Sequence, residues 1–219
     1  MHHKKLILAA VALLVLAACA SEPTAPPAPV KAVAIEKVVS TDVEATWNAL
    51  IAGINGRDFK INSLVKEDRT IRVLVQSDIP SQYVDCGEIS VRSRHPEFGN
   101  RNYNFPAANS ARYLVADGRA NELVDVERRT SLNALATIRL TPTSGGTLVR
   151  VDANYVMNFK TREYGNNVNT RSLDGSLNFV SFGRASLNEQ IREGATTKTV
   201  KVECQPTGEL ENRLVAVLG

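Results

Sequence analysis

The sequence predicts an α+β domain in which an antiparallel sheet packs against an N-terminal and a C-terminal helix. Near both ends of the domain, apolar residues recur three and four positions apart, as they do on one face of a helix. Between these ends, apolar and polar residues alternate through several short segments, as expected of strands with one buried face. The composition, with 43% hydrophobic and 22% charged residues, is that of an ordinary globular domain.

The first residues have the pattern of a bacterial secretion signal. Lys4 and Lys5 give a basic start, and an apolar run follows at residues 6–16. A helix made from this run spans only about half of the hydrocarbon core, so the run is not expected to be a permanent transmembrane segment.

The apolar run ends in Leu16-Ala17-Ala18-Cys19. This tetrapeptide resembles the lipobox of bacterial lipoproteins. The resemblance implies that a signal peptide of residues 1–18 is removed and that Cys19 is acylated, with palmitate as a typical acyl group. Several acyl chains would anchor the protein stably, because each buried methylene contributes about 0.8 kcal/mol. The alternative is an ordinary secretory signal with an incidental cysteine.

The residues after the cysteine bear on localisation. Ala20 and Ser21 stand where the enterobacterial sorting pattern has the aspartate that retains lipoproteins in the inner membrane. This resemblance favours the outer membrane, with the protein facing the periplasm.

The mature chain is expected to be nearly neutral. Loss of Lys4 and Lys5 leaves 24 basic and 23 acidic residues, which excludes a broad nucleic-acid-binding surface. His2 and His3 are lost with them, so His95 is the one histidine left and a multi-histidine metal centre is excluded. No cofactor is predicted.

A tether and one folded unit follow the signal. Residues 19–31 contain four prolines among small residues, a composition that favours extended polyproline II. Residues 32–219 show no second linker and no repeat, and they are interpreted as one globular domain.

The mature domain has two cysteines besides Cys19. In the oxidising periplasm, this even pair predicts a disulfide between Cys86 and Cys204. The alternative is a reactive thiol, but no histidine or Cys-x-x-Cys spacing accompanies either residue.

The domain begins with a strand and a helix. Residues 33–39 are rich in β-branched side chains, and Thr41 with Glu44 has the spacing of a capping box. The helix that starts there is expected to stop at Asn55 and Gly56. Its apolar face consists of Val43, Trp47, Leu50, Ile51 and Ile54.

Strands are expected along most of the remaining chain. Residues 59–61 and 71–75 form a predicted pair, and a meander follows at 123–129, 132–140, 148–159 and 177–182, with a hairpin at 144–146. One face of the third meander strand is expected to be buried, through Val149, Val151, Ala153, Tyr155 and Met157. The opposite face is polar, with Arg150, Asp152, Asn154 and Asn158.

A strand at 200–202 and a helix capped by Thr207 close the domain. The dry sheet face needs a cover, and the two helices are the candidates. This order of elements is that of helix-grip folds. Residues 43–50, 59–61 and Ile71 resemble the opening of the helix-grip domain in BamC-type lipoproteins, accessory parts of the machine that inserts outer-membrane β-barrels. The chain departs from that family in having one domain instead of two.

A long loop at residues 94–111 is the candidate partner-contact site. Aromatic side chains in a polar loop suit such a surface, and here they are Phe98, Tyr103 and Phe105. The alternative is that these rings pin the loop to the core. Residues 162–174 form a second candidate loop.

A polar constellation lies just before this loop. Asp85, Glu88, Arg92, Arg94 and His95 could converge into a site. The favoured interpretation is a solvated strand beside a disulfide, because a single histidine has no second base or orienting acid that the sequence identifies. No catalytic residue is predicted.

These features predict a non-enzymatic outer-membrane lipoprotein that binds an envelope protein as a structural or assembly component. The alternative is a periplasmic carrier of lipid or another hydrophobic ligand, since a curved sheet that grips a helix can enclose a cavity.

The lipid anchor gives the first testable prediction. Intact-mass analysis of the membrane-extracted protein is expected to show a chain that begins at Cys19 and carries the added mass of its acyl chains. An unmodified thiol at Cys19, or a product that retains residues 1–18, would contradict it.

Overall fold

The structure, a computed structural model, describes residues 36–55, 59–167 and 171–219. Within these ranges the chain forms twelve strands and two α-helices. The first half comprises β1 (Glu36–Val39), α1 (Val43–Asn55), β2 (Lys60–Val65), β3 (Thr70–Ser77), β4 (Val84–Asp85), β5 (Glu88–His95) and β6 (Gly99–Pro106). The second half comprises β7 (Ala111–Asp117), β8 (Glu122–Thr143), β9 (Gly146–Tyr164), β10 (Ser172–Val180), β11 (Ala185–Glu193), β12 (Thr196–Pro206) and α2 (Glu209–Val215).

The predicted α+β helix-grip fold is wrong. The described chain is mostly β-strand, and its helices are short, with 13 residues in α1 and 7 in α2. The prediction failed because it left β7 and β11 unassigned and interpreted β6 as loop. Two of these strands, β6 and β11, belong to the sheets that supply much of the cover that the sequence analysis assigned to helices alone.

A long antiparallel hairpin of β8 and β9 is the centre of the fold. The two strands pair without interruption from Asp125 opposite Tyr164 to Thr143 opposite Gly146. The predicted segments 123–129 and 132–140 are therefore one strand. The face prediction is confirmed. The residues on the dry side of β9 are all buried: Val149, Val151, Ala153, Tyr155 and Met157.

Each long strand has two neighbours along its outer edge. β8 pairs first with β7 and then with β3, and β2 extends the sheet beyond β3. β9 pairs with β1 near the hairpin turn and with β10 farther along. The predicted pairing of the segments at 59–61 and 71–75 is confirmed, as Lys60–Val65 against Thr70–Leu74. The result is a seven-stranded sheet with a gap in each outer edge.

Two serines fill these gaps. Ser181 Oγ accepts the amide N–H of Ala153 at 2.7 Å, and the Ser181 amide donates to Ala153 O at 2.9 Å. On the other edge, Ser110 Oγ accepts the amide N–H of Thr130 at 2.9 Å. Edge groups that would otherwise be buried without partners are thus satisfied.

The inner face of the sheet is covered by elements of both kinds. β11, β12 and β4 form a three-stranded sheet, and β5 and β6 form a separate hairpin. α1 covers the end near the β8–β9 turn with Trp47, Leu50 and Ile54, and α2 buries Leu210 and Leu214. No helix in the described ranges is long and apolar enough to cross a membrane.

The helix caps differ from those predicted. The Ala45 amide donates to Asp42 Oδ1 at 2.8 Å, so Asp42 caps α1, and the Thr41 hydroxyl contacts Thr46 instead. Gly208, in the left-handed conformation, occupies the N-cap position of α2. The predicted contribution of Thr207 comes from one residue earlier, because its Oγ1 accepts the amide N–H of Glu209 at 3.3 Å.

Cys86 and Cys204 are joined in a disulfide across 118 residues of chain. Both residues are buried. Cys86 lies between β4 and β5, and Cys204 lies near the end of β12, which pairs with β4. The bond therefore fastens the start of the β5–β6 hairpin to the three-stranded sheet.

Removing this bond is expected to destabilise the domain. A Cys86→Ala/Cys204→Ala variant should lose about 2–5 kcal/mol of unfolding free energy, because the unfolded chain regains the freedom that closing a long loop removes. Urea denaturation of the wild type and the variant measures the difference. Equal transition midpoints with equal slopes would contradict the prediction.

Candidate functional site

A buried pair of charges joins the two layers at the end of the molecule far from the β8–β9 turn. Arg128 of β8 is fully buried, and its Nε and Nη2 donate to the two carboxylate oxygens of Glu189 on β11, at 2.6 and 2.9 Å. Its guanidinium also donates to the carbonyl oxygens of Ala107 and Asn109. This geometry satisfies the bidentate pairing that stabilises a buried arginine.

A second buried arginine lies on the same strand, β11. Arg192 donates to Asp117 Oδ2 at 2.5 Å and to Glu163 Oε2 at 2.6 Å. Burial alone would raise the pKa of Asp117, but backbone N–H groups of Arg119 and Ala120 and the charge of Arg192 outweigh it, so the pKa is lowered. The ionised carboxyl therefore stabilises the fold above its unfolded-state pKa, and this contribution is lost as the pH falls through the folded-state pKa.

The five charged groups form one buried cluster with a phenol among them. Burial and, after it, the charge of Glu189 raise the pKa of Tyr113. Three atoms of the cluster have no hydrogen-bond partner in the structure: Tyr113 Oη, Glu163 Oε1 and Arg192 Nε. Because single charge pairs connect β11 to β7, β8 and β9, the cluster fixes where the β11–β12 layer sits on the sheet.

A concave pocket opens above this cluster. We call it the basic pocket, and its volume is about 540 Å³. Three of its residues come from the end of β5, and the others come from the β7–β8 and β11–β12 turns and the strand ends beside them. The lining residues are Arg92, Arg94, His95, Ala116, Gly118, Glu193, Gly194, Ala195 and Thr196.

The walls of the basic pocket are held by buried contacts. Ser93 Oγ accepts the amide N–H of Ala116 at 2.8 Å, which fixes β5 against β7. Gly194 has φ +67°, and a Cβ there would lie 3.1 Å from Ala116 O, so the β11–β12 turn closely approaches the same strand. These contacts fix β5 and the β11–β12 turn against β7, so the pocket is preorganised.

His95 presents one ring edge to this pocket. Its Nδ1 accepts the amide N–H of Glu97 at 3.2 Å, so the neutral ring carries its proton on Nε2. The ring stacks on Phe98 with centroids 4.8 Å apart. A Cβ on Gly118 would lie 3.8 Å from Nε2, which places the donor edge beside a residue without a side chain.

A second cavity, the sheet cleft, lies where the edge of β8 passes from β7 to β3. Its volume is about 510 Å³. Its charges are largely compensated, since Arg112 pairs with Asp125 and Arg129 pairs with Glu127. The lining residues are Asp78, Ser110, Ala111, Arg112, Glu127, Arg128, Arg129 and Thr130.

The predicted contact loop at residues 94–111 is a hairpin with a short turn, so the loop prediction is wrong. Tyr103 and Phe105 are half-buried, and their rings pack against Tyr113 with centroids 5.7 and 5.9 Å apart. These rings pin the hairpin to β7, as the alternative proposed. A role of Phe98, Tyr103 and Phe105 in partner contact stays a prediction.

Some other predicted features lie outside the described residues, in whole or in part. Cys19 and the tether lie outside the described residues. In the second candidate loop, residues 162–164 continue β9 and residues 172–174 begin β10, and residues 168–170 are outside the described ranges.

The polar constellation divides into two parts. Arg92, Arg94 and His95 line the basic pocket together. Glu88 lies at the opposite end of β5, opposite Pro106, and Asp85 Oδ1 accepts the amide N–H of Gly87. The sequence analysis favoured a solvated strand here and did not identify a pocket.

The sequence analysis missed the buried cluster. The burial of Arg128 could have been predicted from the alternation of β8, because Arg128 falls in the same even-numbered set as the buried Val124, Val126 and Leu132. That parity places the arginine on the dry face, where it requires a carboxylate partner. Glu189 carries a similar but weaker signal, because it has the same parity as Leu187 and Ile191 on β11.

Among the described residues, no group of three or more His, Cys, Asp or Glu side chains is arranged to hold a metal ion. No family model, curated protein or solved structure matches this chain.

The buried pair gives a stability prediction. Arg128→Met is expected to cost about 3–5 kcal/mol, because Glu189 is left buried without its partner. The double variant Arg128→Met/Glu189→Met should recover most of this loss, since both charges are then absent. Chemical denaturation of the three proteins measures the effect. A double variant as unstable as the single one would contradict the pairing.

Proposed function

We propose that the protein is a lipid-anchored component of the bacterial envelope that binds another envelope protein. The lipobox-like Cys19 and the proline-rich tether support attachment to a membrane, with the outer membrane favoured by the residues after Cys19. The observation that carries the binding role is an exposed phenylalanine held in a strained backbone conformation.

Phe182 lies between β10 and β11 with φ +68°, in the left-handed region. A bulky residue rarely adopts this conformation, which costs about 1–2 kcal/mol relative to right-handed φ. A glycine would adopt it without strain, so the turn itself does not require the ring. The residue is 49% exposed, so about half of its surface remains in contact with solvent.

The surrounding residues force this exposure. Ser181 is tied to Ala153 by two hydrogen bonds and donates to Glu211 Oε1 at 2.6 Å. On the other side, the Gly183 amide donates to Val180 O at 2.8 Å. Phe182 is therefore fixed between two anchored neighbours.

Two exposed valines lie on the outer face of the sheet, close to Phe182 in the chain or across the strand pair. Val180 is 53% exposed and Val156 is 36% exposed. Val180 pairs with Asn154 and Asn178 pairs with Val156, so the two valines are diagonal neighbours on one face. We call Val156, Val180 and Phe182 the apolar patch. Locally strained and exposed residues of this kind are typical of binding surfaces.

The alternative function, a carrier of hydrophobic ligands, has less support. Polar and charged side chains line much of both the basic pocket and the sheet cleft, a poor environment for an acyl chain. The apolar side chains between the layers pack against one another in a single core.

Site-specific photo-crosslinking in the intact lipoprotein tests the binding role. A photoreactive residue at position 180 is expected to form a discrete adduct with a protein of the same membrane. The same residue at position 64 should form none, because Leu64 is 47% exposed but lies on the distant edge strand β2.

Phe182→Gly separates binding from folding. This variant should lose the adduct from position 180, while its free energy of unfolding stays unchanged or rises by up to about 1 kcal/mol as the left-handed strain is relieved. Leu64→Gly is the control for loss of an exposed apolar side chain. The proposal fails when Phe182→Gly keeps the adduct, or when positions 64 and 180 give the same products.

A further inference from the structure

We infer that the basic pocket binds a phosphate monoester carried by a polar group of about the size of a sugar. This inference does not depend on the apolar patch or on the lipid anchor. It rests on the charge of the pocket, the placement of its donors and the rigidity of its walls.

Two arginines supply most of the charge. Arg92 and Arg94 are exposed residues two apart on β5, so their Cα atoms are about 7 Å apart on one strand face. The Arg94 side chain has no carboxylate partner within the described ranges, in contrast to Arg112 and Arg129.

The third donor is the Nε2–H of His95. The hydrogen bond from Glu97 and the stack on Phe98 fix the ring, so this donor does not rotate away. Arg92 and Arg94 line the cavity from one face of β5 and His95 lines it from the other. Together they offer donors for the three terminal oxygens of a tetrahedral dianion. A planar carboxylate offers two oxygens and one charge, and it would use this donor set less completely.

The rest of the pocket suits a polar carrier. Glu193 lies on the opposite wall, and its carboxylate has no cation partner among the described residues. It would repel a second anion but can accept hydrogen bonds from hydroxyl groups, and Thr196 adds a hydroxyl of its own. The volume of about 540 Å³ exceeds that of a phosphate ion and falls in the usual range of small-molecule sites.

The pocket needs little rearrangement to bind such a ligand. Ser93 fixes β5 to β7, and Arg192 fixes β11 to the end of β7 through Asp117. Two backbone N–H groups hold the same aspartate and so shape the β7–β8 turn that carries Gly118. Binding therefore loses little free energy to ordering of the walls.

Calorimetric titration of the full lipidated chain in a neutral detergent tests the inference. The probes are inorganic phosphate, a hexose phosphate and a short-chain phosphatidic acid, with the unphosphorylated hexose and a short-chain phosphatidylcholine as controls. At least one phosphate monoester should bind, and both controls should not. The hexose phosphate is expected to bind more tightly than phosphatidic acid, because the other pocket walls suit hydroxyl groups. A preference for phosphatidic acid would contradict the polar carrier and identify a lipid headgroup as the source.

Two variants locate the binding. Arg94→Ala removes an exposed charge and should weaken binding about tenfold or more, as expected when a charge-assisted hydrogen bond is lost. Gly118→Val keeps every charge but covers the donor edge of His95, and it should weaken binding as well. Arg139→Ala, at an exposed arginine of the sheet's outer face, is the matched control and should bind as the wild type does.

The outcomes separate this inference from the partner-binding proposal. Loss of binding in Arg94→Ala and Gly118→Val, with unchanged thermal unfolding and an unchanged crosslink from position 180, supports it. Absence of binding by all phosphorylated probes, equal binding by Arg94→Ala and the wild type, or an equal loss in Arg139→Ala overturns it.

Discussion

The inner face of the β8–β9 hairpin changes from apolar to charged along its length, and this change constrains the rest of the structure. Near the turn, Ile138 and Val151 face inward, whereas Arg128 and Glu163 do so at the far end. The cover must match each half. α1 supplies apolar side chains to the first half, and β11 supplies Glu189 and Arg192 to the second.

In the middle of the hairpin, the cover is held by hydrogen bonds to a buried carboxylate instead of by apolar packing or ion pairs. Tyr155 donates its hydroxyl to Glu211 Oε1 at 2.8 Å, and Ser181 shares that oxygen. Burial and, after it, the charge of Glu211 raise the pKa of Tyr155, so its hydroxyl stays a donor. Because Ser181 also caps the edge of β9, this contact joins α2, the sheet gap and the exposed turn that carries Phe182.

The sequence predicted the parts of the fold in which periodicity reports burial. α1, the β2–β3 pair and the inward face of β9 all have apolar residues at regular spacing. It did not predict β6 and β11, because alternation there places Arg101, Tyr103 or Glu189 at inward positions that do not look buried. The Cys86–Cys204 pair could be proposed from compartment chemistry alone.

The candidate sites were harder to predict for the same physical reason. Arg92, Arg94 and His95 are close in the chain, and their common location on one strand could be inferred. The opposite wall comes from Gly118 and Gly194, far along the sequence, and no local pattern connects them to β5. The exposed position of Phe182 could not be predicted, because it depends on a left-handed φ that no local sequence pattern indicates.

The buried charges at the far end of the hairpin are better explained by their effect on the register between the two layers than by a contribution to stability. Apolar residues of similar volume would often stabilise a domain as well as buried ion pairs do, because desolvation offsets most of the Coulombic attraction. Apolar contacts, however, tolerate small shifts between layers, whereas Arg192 must reach Asp117 and Glu163 in one register. That register sets the distance from the β11–β12 turn to β5, and hence the width of the basic pocket. The charge cluster therefore connects the chemistry of the core to the geometry of the surface.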